Sequence, residues 1–217
     1  MTSVLVEACV ETVEDALRAE AAGCGRIELC VSLHEGGVTP GIGLIAACVE
    51  ALSIPVHVLV RPRAGDFVYS TREIDVIYRE VMACKTAGAA GVVIGMLHAD
   101  GRVDIDRVEE CVTAARPLTV AFHRAFDRVP DQRAALVEVI EAGVSIVLTS
   151  GAAPTALDGA APGAAILIRG EPFRGRFRRS FSRPVPFKPG VPDSIRFDMP
   201  DVLHRFRRGH RIMVQVQ

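Results

Sequence analysis

No stretch of 18 uninterrupted apolar residues occurs anywhere in the 217 residues, so nothing in the sequence reads as a membrane-spanning helix. The first ten residues lack the basic start, apolar middle and small-residue cleavage site of a secretory signal, which makes the cytoplasm the expected location. Six cysteines stand at 9, 24, 30, 48, 84 and 111 without a Cys-x-x-Cys pair, which argues against a zinc knuckle and, in a reducing compartment, against a disulfide framework. There is no phosphate-binding Walker loop, no Gly-x-Gly-x-x-Gly after a strand, no Gly-x-Ser-x-Gly and no His-Glu-x-x-His. Nucleotide-loop, serine-hydrolase and zincin chemistry therefore have no motif to stand on. No zinc-finger or RNA-binding signature is present either, and nucleic acid is not an expected partner.

What is present is a repeat. Apolar strand-like runs recur at 4–9, 26–30, 56–61, 91–96, 118–123 and 145–149. Each is followed, except the last, by a segment with apolar residues at spacings of three and four, at 13–22, 42–52, 73–87, 105–115 and 133–142. Ala22-Gly23, Ala87-Gly88 and Ala142-Gly143 close three of these segments, where glycine takes the left-handed conformation that stops a helix. Strand then helix, repeated, means parallel strands joined by right-handed crossovers. Side-chain parity favours a TIM-type (β/α) barrel over an open sheet, because Glu7, Glu28, Arg61 and His123 share one face of their strands while Val, Ile, Leu and Phe dominate the other.

Glu-x-Cys occurs twice, as Glu7-Ala8-Cys9 and Glu28-Leu29-Cys30, each at the end of a strand-like run. Alternation turns Glu7 with Cys9 and Glu28 with Cys30 to one side. If the two strands are parallel neighbours about 4.8 Å apart, both thiols come within reach of one soft metal ion at a shared mouth. Three readings stay open for the pair: metal ligands, a redox couple, or packed core thiols. Cys24, Cys48, Cys84 and Cys111, in helices or at helix ends, read as core residues, and His34, His57 and His98 as loop or core histidines.

Charge also collects at strand ends, in Arg61-Pro62-Arg63-Ala64-Gly65-Asp66-Phe67 and in Phe122-His123-Arg124-Ala125-Phe126-Asp127. One reading is an enzyme acting on a small anionic metabolite. Glu7, Glu28 or His123 would then serve as acid or base, and Arg61, Arg63, Asp66 and Arg124 as substrate-binding groups. The other is an internal network that satisfies buried charge. Between the second strand and its helix, Glu35-Gly36-Gly37-Val38-Thr39-Pro40 carries a glycine pair that lets backbone approach a ligand.

VEACV, RIELC, EGGVTP, RPRAGDF, GMLHADGRVD, FHRAFD and LTSG, in this order and spacing, resemble the CutC copper-homeostasis family. The resemblance implies a TIM-type barrel, a cytoplasmic homo-oligomer, a role in copper trafficking or tolerance, and copper(I) as the ion held by Cys9 and Cys30. It covers residues 4–157, about six strand-helix units within a first region of 1–157. Residues 158–217 form a divergent tail rich in Pro and Arg; from 169 onward it holds 12 Lys or Arg against 4 Asp or Glu. Three readings compete for it: a C-terminus replaced by a shifted reading frame, which the abrupt composition break favours, an isoform whose tail caps the open edge, or a basic tail with its own binding role. Missing strands would leave the barrel incomplete, with its first and sixth strands as open edges.

Overall fold

A computed structural model describes residues 5–153. The expectations for the tail at 158–217 lie outside the described residues. Six strands form one parallel sheet in sequence order: β1 Glu7–Val10, β2 Arg26–Leu29, β3 Val56–Leu59, β4 Gly91–Ile94, β5 Thr119–Phe122 and β6 Ile146–Val147. Between them lie α1 Val13–Ala21, α2 Ile42–Ala51, α3 Thr71–Thr86, α4 Ile105–Ala115 and α5 Gln132–Glu141. This is the strand-helix part of an incomplete TIM-type barrel, with β1 and β6 at the two edges of the described sheet.

The helices start where the sequence supplies caps. Ser70 and Glu73 form a reciprocal capping box ahead of α3, and the side chains of Thr12, Asp104 and Asp131 accept first-turn amides of α1, α4 and α5. Each such cap is worth roughly 1 kcal/mol. Two connections contain 3-10 turns, Leu33–Glu35 and Arg124–Arg128, which the strand and helix periods alone do not reveal.

Two apolar clusters map onto the two faces of the sheet. The larger lies under the helices, where Ile27, Leu29, Val58, Val92, Val120 and Phe122 meet Ile74, Ile77 and Val81 of α3 and Val108 of α4. Fully burying such a side chain contributes about 1.5–3 kcal/mol, so this layer dominates the favourable side of folding. Cys24, Cys48, Cys84 and Cys111 are buried free thiols of this cluster, as the sequence leads one to expect.

The smaller cluster sits on the concave face and consists of Cys9, Cys30, Leu59, Val93 and Ala121, with Leu33 and Ile146 packed against it. The inward face is therefore layered along the strands. Toward the N-terminal ends, Cys9, Glu28, His57, Gly91 and Thr119 share one register row, with Glu7 and Arg26 paired in the row before. Leu59, Val93, Ala121 and Ile146 make the next inward row, and Arg61, Gly95 and His123 lie beyond them at the C-terminal ends.

β4 makes room for its neighbours' rings. Its inward positions Gly91 and Gly95 carry no side chain, and a Cβ at Gly91 would lie 2.6 Å from Nε2 of His57, while one at Gly95 would lie 2.3 Å from Cε1 of His123. Gly91→Ala is expected to destabilise the protein by about 1–3 kcal/mol, the range for forcing volume into a packed core. Urea unfolding of the variant alone and combined with His57→Ala checks this. Relief of the penalty in the double variant is expected, and equal penalties in both backgrounds would remove His57 as its cause.

Candidate functional site

Parity places the two thiols together. Cys9 is the third residue of β1 and Cys30 follows β2 directly, and their sulfurs are 3.4 Å apart inside the sheet. Both are buried, Cys30 completely. The expected shared mouth is instead an enclosed interior: Leu59 and Leu33 flank the thiols, and Gly37 in the loop after β2 covers Cys30. A Cβ on Gly37, whose φ is 82°, would lie 2.7 Å from Cδ2 of Leu59 and 3.6 Å from Sγ of Cys30. The close backbone approach expected of this loop is thus made to Cys30.

Glu7 lies one row toward the N-terminal side of Cys9, and Glu28 shares the row of Cys9. Glu7 is ion-paired with Arg26, both side chains being nearly enclosed. Glu28 stands level with Cys9, whose Sγ is 4.0 Å from its Oε1. Burial pushes the Glu28 carboxyl up to about 8, Glu7 adds to the shift and Arg26 opposes it. The hydrogen bond with Cys30, then burial, then the nearby Glu28 carboxylate hold the Cys9 thiol well above its ordinary range. The Cys9 thiol therefore stays protonated beside a carboxyl that keeps its proton at neutral pH.

His57, read from the sequence as core or loop, occupies the interior row of Glu28. Burial, assisted by Arg26, pulls it down to about 4, so it is uncharged. Its Nδ1 is buried and has no hydrogen-bond partner. The signal for it is parity, since 57 and 59 alternate inward on β3 and the residue facing 57 on β4 is glycine.

At the opposite end stand Arg61 and His123. Arg61 is buried and donates to the carbonyls of Gly37 at 2.7 Å, Glu35 at 3.2 Å and Gly65 at 3.2 Å. His123 Nδ1 accepts the amide of Ala125 at 3.1 Å, and burial followed by the charge of Arg61 pulls this ring down to about 3. His123 and the carboxylates Glu7 and Glu28 therefore occupy different levels of the interior, separated by the apolar row of Leu59, Val93 and Ala121. A direct proton relay between them has no geometry here.

The remaining candidates hold loops. Arg63 binds Asp66 at 2.8 Å and Glu73 at 2.5 Å, donates to the Val68 carbonyl and lies over the Tyr69 ring. Arg124 binds Asp127 at 2.7 Å and Ser150 at 2.6 Å. Asp127 in turn accepts from the Thr149 and Ser150 hydroxyls and the amides of Ser150 and Ala152. Although burial acts in the opposite direction, these bonds hold its carboxyl below the usual range. Asp127 thus fills the anion-binding hollow of the loop after β6 with an internal carboxylate.

Among the described residues, no three His, Cys, Asp or Glu side chains form a group suited to one metal ion. A metal at the thiols would rest on a two-sulfur set, which suits a soft ion that accepts low coordination and excludes the hard oxygen-seeking cations.

Residues 4–169 match the model of the CutC family. The chain is 47% identical over 155 residues to a mouse copper homeostasis protein cutC homolog and 46% identical over 155 residues to the human one. These alignments take in 71% of this chain and 57% of each relative, so the chain spans little more than half the length of the relatives it matches. The crystal structure of CutC from Streptococcus agalactiae superimposes with a TM-score of 0.68 at 29% identity, over 72% of this chain and 78% of that one. No helix of the described residues is long and apolar enough to cross a membrane.

The buried carboxyl has a measurable consequence in the metal-free protein. With the folded pKa of Glu28 raised from 4.5 to about 8, its contribution is complete below 4.5 and is lost as pH rises through about 8. The two depressed histidines act in the other direction, losing their contribution only as pH falls below 6.5. Between pH 6.5 and 8 the wild type is expected to lose about 1–2 kcal/mol relative to Glu28→Gln. Urea unfolding at closely spaced pH values checks this, and parallel pH profiles for the two proteins would refute the assignment.

Proposed function

The chain belongs to the CutC family, and from that premise we propose that it acts in copper homeostasis by holding copper(I) between the thiolates of Cys9 and Cys30. The observation that carries the reading is the 3.4 Å approach of two free thiols from adjacent strands in an apolar interior. Copper is the cargo here, and its binding converts two neutral thiols and one cation into an anionic dithiolate unit with release of two protons. The soft, polarizable sulfurs match a soft ion, and burial limits competition from water.

The geometry sets two conditions. Taking thiolate bonds of the length zinc makes, about 2.3 Å, a linear unit needs the sulfurs roughly 4.6 Å apart. The two side chains must therefore separate by about 1.2 Å, or the unit is bent. The roof over the thiols must also open, and the loop bearing Gly36 and Gly37 is the element that covers Cys30. Glu28 contributes by remaining protonated, since a second negative charge beside the dithiolate would oppose it. A cytoplasmic setting agrees with this reading, because thiols stay reduced there.

Anaerobic titration of the reduced chain with copper(I) against a competing chelator tests the proposal. About one ion per chain is expected, lost in Cys9→Ser/Cys30→Ser, and equal binding by the two proteins would refute it. The apparent affinity should rise with pH by about tenfold per unit for each proton displaced, up to a hundredfold for two. A pH-independent affinity would show that the thiols are not the ligands.

A further inference from the structure

Arg61 is a buried cation that thiol binding leaves unused. Only 5% of its surface reaches solvent. Its hydrogen bonds go to three neutral carbonyls, its Nε–H has no partner, and none of the ion pairs among the described residues involves it. A guanidinium does not lose its proton inside a protein, so the charge persists, and an uncompensated buried charge is costly.

The neighbouring donor is equally unused. The amide of Ala125 donates to His123 Nδ1, which fixes the proton of the neutral ring on Nε2, and that nitrogen is buried without a partner. Gly95, directly after β4, lies against the His123 ring and contributes no side chain to the space. Phe67 covers both groups: its ring centroid is 5.0 Å from Cζ of Arg61 and 4.8 Å from the His123 ring, with Cζ of Arg128 at 4.9 Å. The hydroxyl of Tyr69, on the same loop, is a further buried group without a partner.

One positive charge and two buried N–H donors without acceptors call for an acceptor that carries negative charge. Water would satisfy the donors and leave the charge, and a cation would be repelled. We propose that the C-terminal end of the interior binds a small oxyanion, a carboxylate or phosphate group, with Arg61 Nε–H and His123 Nε2–H donating to it and Phe67 swinging aside to admit it. The site lies beyond the layer that the thiols share with Leu59, Val93 and Ala121, and Arg61 meets that layer only through the carbonyl of Gly37, which covers Cys30. Arg63 and Arg124, engaged with their own carboxylates, take no part.

The test is calorimetry and thermal melting of the full chain with inorganic phosphate and, separately, with malonate, each against sodium chloride at matched ionic strength. Saturable one-site binding of at least one probe is expected, with a rise in melting temperature. Response to phosphate alone identifies a phosphate site and response to malonate alone a carboxylate site. Arg61→Met should weaken binding by at least a hundredfold and His123→Gln by about tenfold. Cys9→Ser/Cys30→Ser should leave it unchanged, so this proposal and the copper reading fail independently. Arg61 also ties the loops bearing Gly37 and Gly65 together, so His123→Gln, which spares those bonds, decides the matter if Arg61→Met does not fold. Absence of saturable binding of both probes, or wild-type affinity in His123→Gln, overturns the proposal.

Discussion

Strand alternation inside a curled parallel sheet is the constraint on which the rest of this structure depends. Each strand of about four residues sends only two or three side chains to the concave face, and every one of them must meet the side chains of its neighbours. The outer face meets that demand with aliphatic residues under helices. The inner face carries Glu7, Arg26, Glu28, His57, Arg61 and His123, a content that apolar packing alone would not select. It is tolerable because the charged groups are sorted to the two ends and an apolar row with the thiols lies between.

The sorting has electrostatic consequences. Near the N-terminal ends, two carboxyls share one guanidinium, so one carboxyl keeps its proton and the thiol beside it keeps its own. Near the C-terminal ends the sign is reversed, because the guanidinium of Arg61 faces no carboxylate among the described residues and the imidazole beside it stays neutral. The glycines of β4 permit both arrangements by giving each ring a surface without a side chain. Replacing either glycine by a larger residue would displace a histidine rather than fill a void.

Much of this architecture was legible in the sequence because period-two and period-3.6 patterns are local. The strand-helix repeat, the parity of Glu7, Glu28, Arg61 and His123, and the convergence of Cys9 with Cys30 follow from alternation. What alternation cannot supply is the stagger between strands. Cys9 stands level with Glu28 and not with Cys30, and that register separates Glu28 from His123 and brings His57 into its row. Long crossovers leave such stagger free, so a single shared mouth was the natural expectation. The roles of Arg63, Asp66 and Arg124 were equally hidden, because whether a charged strand-end residue faces a ligand or clasps its own loop depends on loop geometry. The Gly91 and Gly95 spacing was a signal available in the sequence, an inward glycine being informative only when its neighbour across the ladder carries a ring.

A buried thiol such as Cys9, whose proton is held tightly, is a poor nucleophile, which fits the proposed carrier of a soft ion. Weak thiolate character slows adventitious oxidation, since reactivity follows the thiolate. The metal itself supplies the charge compensation that the apolar surroundings withhold, so the dithiolate is favourable only when the ion is present. On the proposed reading, discrimination would arise from the cost of deprotonation, since a hard cation binds sulfur too weakly to displace two protons.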